Sequence, residues 1–239
     1  MAYRACAKGA KEDPGNLKGT IAIFDDLVDE MIWSACGWKE DDQTLFFSGK
    51  RNFRKEIFPS YKANRKGPKP EFLVDVTKHA VDHWNTVVCQ GYEADDGICM
   101  AAYERGLDNV VIVSADKDFR QIPCEIFSTY SLTTVHPTEE EADYNFWKQA
   151  LTGDSVDNIK GIPGIGPKKA EKILSNCPSG WSLGMAVAEA YEEYVENGEG
   201  SSYVSTTMAS YMLNNTLLQI RLLRNLKEYE EICSKYSLG

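Results

Sequence analysis

GYEADDGICMAAYERGLDNVVIVSADKDF, residues 91–119, is the stretch on which the fold turns. Its middle, Ala94–Arg105, reads as a helix, and Asn109–Ser114 (NVVIVS) is an apolar, β-branched run that reads as a buried strand. Just upstream, Thr86–Gln90 (TVVCQ) reads as another strand. Strand and helix alternating in this way build a parallel sheet. Acids stand wherever a strand ends: Glu93, Asp95 and Asp96 after the first, Asp116 and Asp118 after the second.

Working toward the N-terminus, Glu71–Trp84 is predicted helical and Thr44–Ser48 (TLFFS) a short strand. Residues 17–36 place Ile21, Phe24, Leu27, Val28, Met31 and Ile32 at three- and four-residue intervals, predicting one amphipathic helix. Toward the C-terminus, Glu125–Tyr130 and Ser131–Val135 are further strands, and Thr138–Glu141 is a capping box opening a helix through Leu151. Beyond it only helices are predicted: Pro167–Ser175, Trp181–Glu196 and Tyr203–Asn225, the last with Leu213, Leu217 and Ile220 on its core stripe. Gly198–Ser202 (GEGSS) is the linker candidate. The expected architecture is α/β, a mainly parallel central sheet with flanking helices over residues 1–150, followed by a helical region over 151–239.

Composition narrows the chemistry. The 239 residues include seven scattered cysteines and only three histidines, so neither a zinc site nor a serine-type triad has a pattern to rest on. Reduced, mostly buried thiols are expected. No apolar run approaches the ~18–20 residues of a membrane span, and the start lacks a secretory signal, which together predict a cytoplasmic protein, the host's if phage-encoded.

The net charge of −10 seems at first to argue against nucleic acid, but it is unevenly spread. Lys50, Arg51, Arg54, Lys55, Lys62, Arg65, Lys66 and Lys69 face a single acid, Glu56, within twenty residues, leaving about −17 for the rest. Such a chain can hold an anionic polymer on one surface and metal cations on another. A merely solvated charge run is the plain alternative. Pro59, Gly67, Pro68 and Pro70 predict a loop or short helix here.

Each acidic pair is ambiguous alone. Glu93 and Asp96 share a helix face, Asp116 is placed to cap a short helix from Lys117 to Ile122, and Asp154 and Asp157 (GDSVDN) fit a turn and cap. Together the three clusters favour a shared site for divalent cations, which relieve the repulsion of crowded carboxylates. By contrast, Asp25–Asp26, Glu40–Asp42 and Glu139–Glu141 read as solvated faces. After Asp157, NIKGIPGIGPKKAEKIL brings Gly161, Gly164 and Gly166 ahead of Lys168 and Lys169; such glycines let backbone N–H groups approach phosphates, although packing glycines in a plain helical hairpin would look the same.

Taken together, GYEADD, SADKDF, GDSVDNIKGIPGIGPKKA and YKANR resemble the flap endonuclease and 5′ to 3′ exonuclease superfamily, in particular its bacteriophage members and the 5′-nuclease domain of bacterial DNA polymerase I. The resemblance covers about residues 44–175. It implies a PIN-like α/β nuclease domain with a helix-three-turn-helix element, acting as a monomer on DNA with a 5′ end or flap. Two Mg²⁺ ions are implied, with Mn²⁺ as a substitute and K⁺ at the glycine-rich turn. By position, Glu93 and Asp95, with Asp96 beside them, would serve the first metal; Asp116, Asp118, Asp154 and Asp157 would serve the second. Tyr61, Lys62 and Arg65 match the base of the family's arch, and Arg4 its arginine after the first strand, all toward DNA. Lys62, Arg65 and Asp116 are the residues placed in catalysis.

Two departures stand out. The family's first strand and its aspartate precede the segment matching MAYRA, and the second family aspartate falls near Phe47–Gly49, where no acid occurs. A late start, a truncation or an impaired, DNA-binding homologue would each account for them. A related metal-dependent RNase is a further alternative, against which the glycine-rich turn argues.

Overall fold

A computed structural model describes residues 1–37, 43–177, 182–199 and 202–238. The chain begins with α1 (Ala2–Glu12) and α2 (Leu17–Cys36), the latter over the predicted range. Asn16 opens α2 by accepting the Gly19 N–H, satisfying one of the donors a helix start leaves free. Phe24, Leu27, Val28 and Met31 are buried, each worth about 2 kcal/mol of apolar transfer, whereas Ile21 and Ile32 border the core.

β1 (Leu45–Asn52) runs four residues beyond the expected end at Ser48, followed by α3 (Phe53–Ile57) and α4 (Leu73–His83). β2 (Thr86–Gly91) pairs in parallel with β1, Leu45 opposite Thr86 and Ser48 opposite Cys89. Across the hand-over loop lies α5 (Ala94–Arg105), laid so closely on this pair that a Cβ at Gly97 would come within 2.5 Å of Cys89 Sγ. β3 (Val111–Ser114) pairs in parallel with β4 (Glu125–Ser128), and β5 (Thr133–Val135) adds antiparallel.

The expected parallel pairing is therefore present, but among the described residues as two separate ladders rather than one continuous sheet. The helical half comprises α6 (Glu139–Thr152), the two-residue strands β6 (Gly153–Asp154) and β7 (Ile159–Lys160), α7 (Pro167–Ser175), α8 (Leu183–Glu199), α9 (Ser202–Ile220) and α10 (Leu226–Tyr236). The capping box at Thr138 and Glu141 forms in both directions. The expected boundary at 150 falls inside α6: Phe146, Ala150 and Leu151 share one core with Ile162, Leu174, Val187, Tyr191 and Ile220, and Tyr61 of the basic segment joins it.

Two helix expectations are corrected. Asn225 ends no long helix; it caps α10 through the Glu228 N–H, after residues 221–225 leave helical geometry. Of the linker candidate, Gly198 and Glu199 belong to α8 and Ser202 to α9, while Gly200 and Ser201, like Trp181 and the Glu40–Asp42 run, lie outside the described residues. Cys6, Cys36, Cys89, Cys99, Cys124 and Cys233 are free thiols, with Cys6, Cys89, Cys99 and Cys124 buried.

Candidate active site

The acids gather where strands end. Glu93 caps α5, and Asp95 lies in its first turn; burial, then Asp116 and Glu93, push the Asp95 carboxyl up to about 7. Asp116 accepts the Asp118 N–H at 3.0 Å and caps the short 3-10 helix Lys117–Gln121, the cap its position in the sequence allows. Asp118 accepts from Gln149 Nε2 at 3.0 Å; burial and Asp116 nevertheless push its carboxyl up to about 6. Asp154 caps its own turn through the N–H groups of Val156 and Asp157, and its other oxygen meets Lys117 Nζ at 2.8 Å, which outweighs burial and lowers its pKa.

Facing them is the turn Tyr61–Arg65. Lys62 has φ 55°, a left-handed conformation uncommon for a side-chain-bearing residue, and its N–H donates to the Asp157 carbonyl at 2.8 Å. This aims Nζ between Glu93 Oε1 (2.6 Å) and Asp157 Oδ2 (3.3 Å). Tyr61 donates its hydroxyl to Glu93 Oε2 at 2.6 Å, and Arg65 pairs with Asp157 Oδ1. Although burial opposes ionisation, Lys62 and Arg54 keep Glu93 below its ordinary pKa. Asn64 and Asn158 tie the 60–65 and 155–158 turns together through backbone carbonyls.

Asp96 departs from the expected ligand set. It is 0% exposed, and both oxygens are committed: Oδ1 to Arg54 Nη2 (2.8 Å) and the Leu223 N–H (3.1 Å), Oδ2 to Arg54 Nη1 (2.6 Å) and the Glu93 N–H (3.0 Å). Arg54 in turn is not part of a solvated basic face. It is 2% exposed and also donates to the carbonyls of Gln219 (3.0 Å) and Arg221 (2.6 Å). Sequence reasoning missed this residue, because nothing local separates Arg54 from its basic neighbours; it also missed Gln149 and Lys117.

Among the described residues, no three acidic, histidine or cysteine side chains close into a ready metal cage. The donor chemistry still fits a hard divalent cation. The side chains facing one another there offer oxygen donors, and the Asp95 and Asp118 carboxyls are raised first by burial and then by neighbouring acids, both of which a bound cation would offset. Lys62, Arg65 and Lys117 meanwhile supply positive charge against Glu93, Asp154 and Asp157.

The glycine-rich turn divides by role. A Cβ on Gly161 would strike the Leu151 carbonyl oxygen at 2.3 Å and one on Gly153 the Gly161 nitrogen at 2.3 Å, so Gly161 packs backbone on backbone instead of meeting a ligand. Gly164, at φ 81°, and Gly166 have open space around them, with Lys168 and Lys169 exposed at the start of α7. Arg4 lies apart from the acids in its contacts: its guanidinium donates to the Thr129 carbonyl at 3.1 Å, while the Thr129 N–H reaches the Ser114 carbonyl at the end of β3. Within Phe47–Gly49, Ser48 Oγ accepts the Ala94 N–H at 2.9 Å.

Residues 2–148 match the family model for the 5′-3′ exonuclease, N-terminal resolvase-like domain. The chain belongs to this 5′-3′ exonuclease family. Residues 150–176 match the helix-hairpin-helix motif, which here is the end of α6, the β6–β7 hairpin and α7. Among similar proteins are DNA polymerase I of Rhizobium leguminosarum (35% identical over 54% of this chain and 14% of that protein) and a 5′-3′ exonuclease of Mycoplasma pneumoniae (32%, over 60% and 57%). The flap endonuclease Xni of Vibrio atlanticus is 29% identical over 72% of this chain and 75% of its own length. The chain spans 14% and 57% of the length of the first two of these relatives. A T5 5′-exonuclease structure with divalent zinc ions superposes with TM-score 0.66 at 18% identity, covering 91% of this chain and 86% of that one, and supports the PIN-like fold. No helix among the described residues is long and apolar enough to cross a membrane.

Proposed function

We propose that this chain is a divalent-metal-dependent 5′-nuclease that hydrolyses DNA phosphodiesters at a 5′ end or flap. The observation that carries the reading is the crowding of Glu93, Asp95, Asp116, Asp118, Asp154 and Asp157 at strand and turn ends, facing the cationic Tyr61–Arg65 turn. Glu93, Asp95 and Asp116 would hold one cation, and Asp116, Asp118 and Asp154 a second, with Asp157 beside it. Mg²⁺ is the cation proposed; when bound, it supplies the positive charge that polarises the scissile phosphate and activates water.

The chain's own residues do the rest. Lys62, held between Glu93 and Asp157, brings positive charge to where negative charge grows in the transition state. Arg65 stands beside it on Asp157 and positions a phosphate. The open backbone of Gly164 and Gly166 and the lysines 168 and 169 take duplex phosphates away from the reacting bond, giving grip without base readout.

Cleavage of a labelled 5′-flap duplex in Mg²⁺ but not in EDTA, and its loss in Asp116→Asn, is the expected result. Tight flap binding with no metal-dependent cleavage would instead establish a DNA-junction binder of the same fold, a reading favoured by the lack of an acid over Phe47–Gly49, where the resemblance implies one.

A further inference from the structure

The network around Arg54 reaches beyond both matched family segments. It begins at residues 219–223, where α9 ends, and finishes on Glu93. The carbonyls of Gln219 and Arg221 fix the Arg54 guanidinium, which grips both oxygens of Asp96; the Leu223 N–H adds a further bond to Asp96. Asp96 Oδ2 then holds the Glu93 N–H, and Arg54 Nη1 lies 3.7 Å from Glu93 Oε2. Arg54, Asp96 and Leu223 are buried, Gln219 and Glu93 are half-buried, and Arg221, which takes part through its carbonyl, is exposed; no buried side-chain nitrogen or oxygen among the described residues lacks a partner. An Arg with four such acceptors has a single position, so the carboxylate it fixes has one too.

We propose that the segment Gln219–Leu223, acting through Arg54 and Asp96, sets the position of Glu93, so that Arg54 and Asp96 are positioning residues and the C-terminal helices are a required part of the metal site. Asp96 binds no cation itself. This rests on the reading of Glu93 as a metal ligand. Outer groups that orient a ligand change metal affinity by about 10–100-fold when removed.

The test is Mn²⁺ binding to the metal-free protein without DNA, followed by electron paramagnetic resonance, with urea denaturation to establish that each variant is folded. Arg54→Lys and Asp96→Asn should each weaken Mn²⁺ binding about tenfold or more, and the double variant should be no worse than the weaker single one, because the two act as a unit. Leu223→Pro, which removes the N–H given to Asp96, should weaken binding too, whereas Leu223→Ala, which keeps it, should not. DNA affinity in EDTA should stay within about twofold for all of them. The proposal is overturned if Glu93→Gln weakens Mn²⁺ binding while Arg54→Lys and Leu223→Pro leave it at the native value, or if Asp96→Asn costs as much in the Arg54→Lys background as alone. A native protein that binds no Mn²⁺, or a Glu93→Gln variant that binds it normally, would overturn the functional reading itself and this inference with it.

Discussion

Raising the pH of the metal-free protein from 5 to 8 is expected to remove several kcal/mol of folding stability. Burial and the neighbouring Asp116 and Glu93 push Asp95 from 3.8 up to about 7, and burial and Asp116 push Asp118 up to about 6. A carboxyl whose folded pKa exceeds its unfolded value holds its proton more tightly in the native state. Its stabilisation is complete below about pH 4 and is lost as the pH rises through the folded value. At about 1.4 kcal/mol per pH unit, the part of the loss that falls above pH 5 is about 3 kcal/mol for Asp95 and about 1 kcal/mol for Asp118. Both lean on Asp116, so the total falls short of their sum. Glu93 and Asp154 are displaced downward, so their contributions fade only as the pH falls through and below the ordinary carboxylate range, outside this window. Urea denaturation in EDTA at half-unit pH steps measures the slope. Millimolar Mg²⁺ should restore stability at pH 8 by binding the native state. Asp116→Asn, which removes the charge both acids feel, should flatten the metal-free profile. Stability that is level or rises from pH 5 to 8 in EDTA, or an unchanged slope in Asp116→Asn, would refute the account of a crowded acidic site.

Three further outcomes follow from the same geometry. Lys62→Met should lower the cleavage rate about 100-fold or more with flap affinity little changed, measured under single-turnover conditions. Gly153→Ala combines a φ of 66° with a Cβ placed 2.3 Å from the Gly161 nitrogen, and should destabilise the protein by about 3 kcal/mol or more in thermal or urea melts. Lys168→Ala with Lys169→Ala should weaken binding to all duplex sequences alike and reduce the slope of log affinity against log salt by about 1 per lysine, without altering the stability of α7 by more than about 0.5 kcal/mol.

Much of this was legible in one dimension, because the signals concerned are local. Helical periodicity placed α2, the capping box at Thr138 and Glu141 placed the start of α6, and the apolar runs placed β2 and β3. Acids following strand ends marked the candidate site for the same reason: a strand's end and the cap after it are adjacent in the chain. What local signals could not do was choose between neighbours. Asp95 and Asp96 are adjacent residues, yet about 100° of helical rotation turns the first toward Asp116 and the second into the interior, onto Arg54. Arg54 likewise differs from Lys55 only in the direction in which α3 presents it, and Gly161 from Gly164 only in whether the chain doubles back against Leu151. Chain order determined which chemical groups this protein has and near which ends they stand; only packing among segments distant in sequence, Asp95 against Asp116 and Asp96 against Arg54 and Leu223, decided which carboxylates are crowded and which are spent on holding the site together.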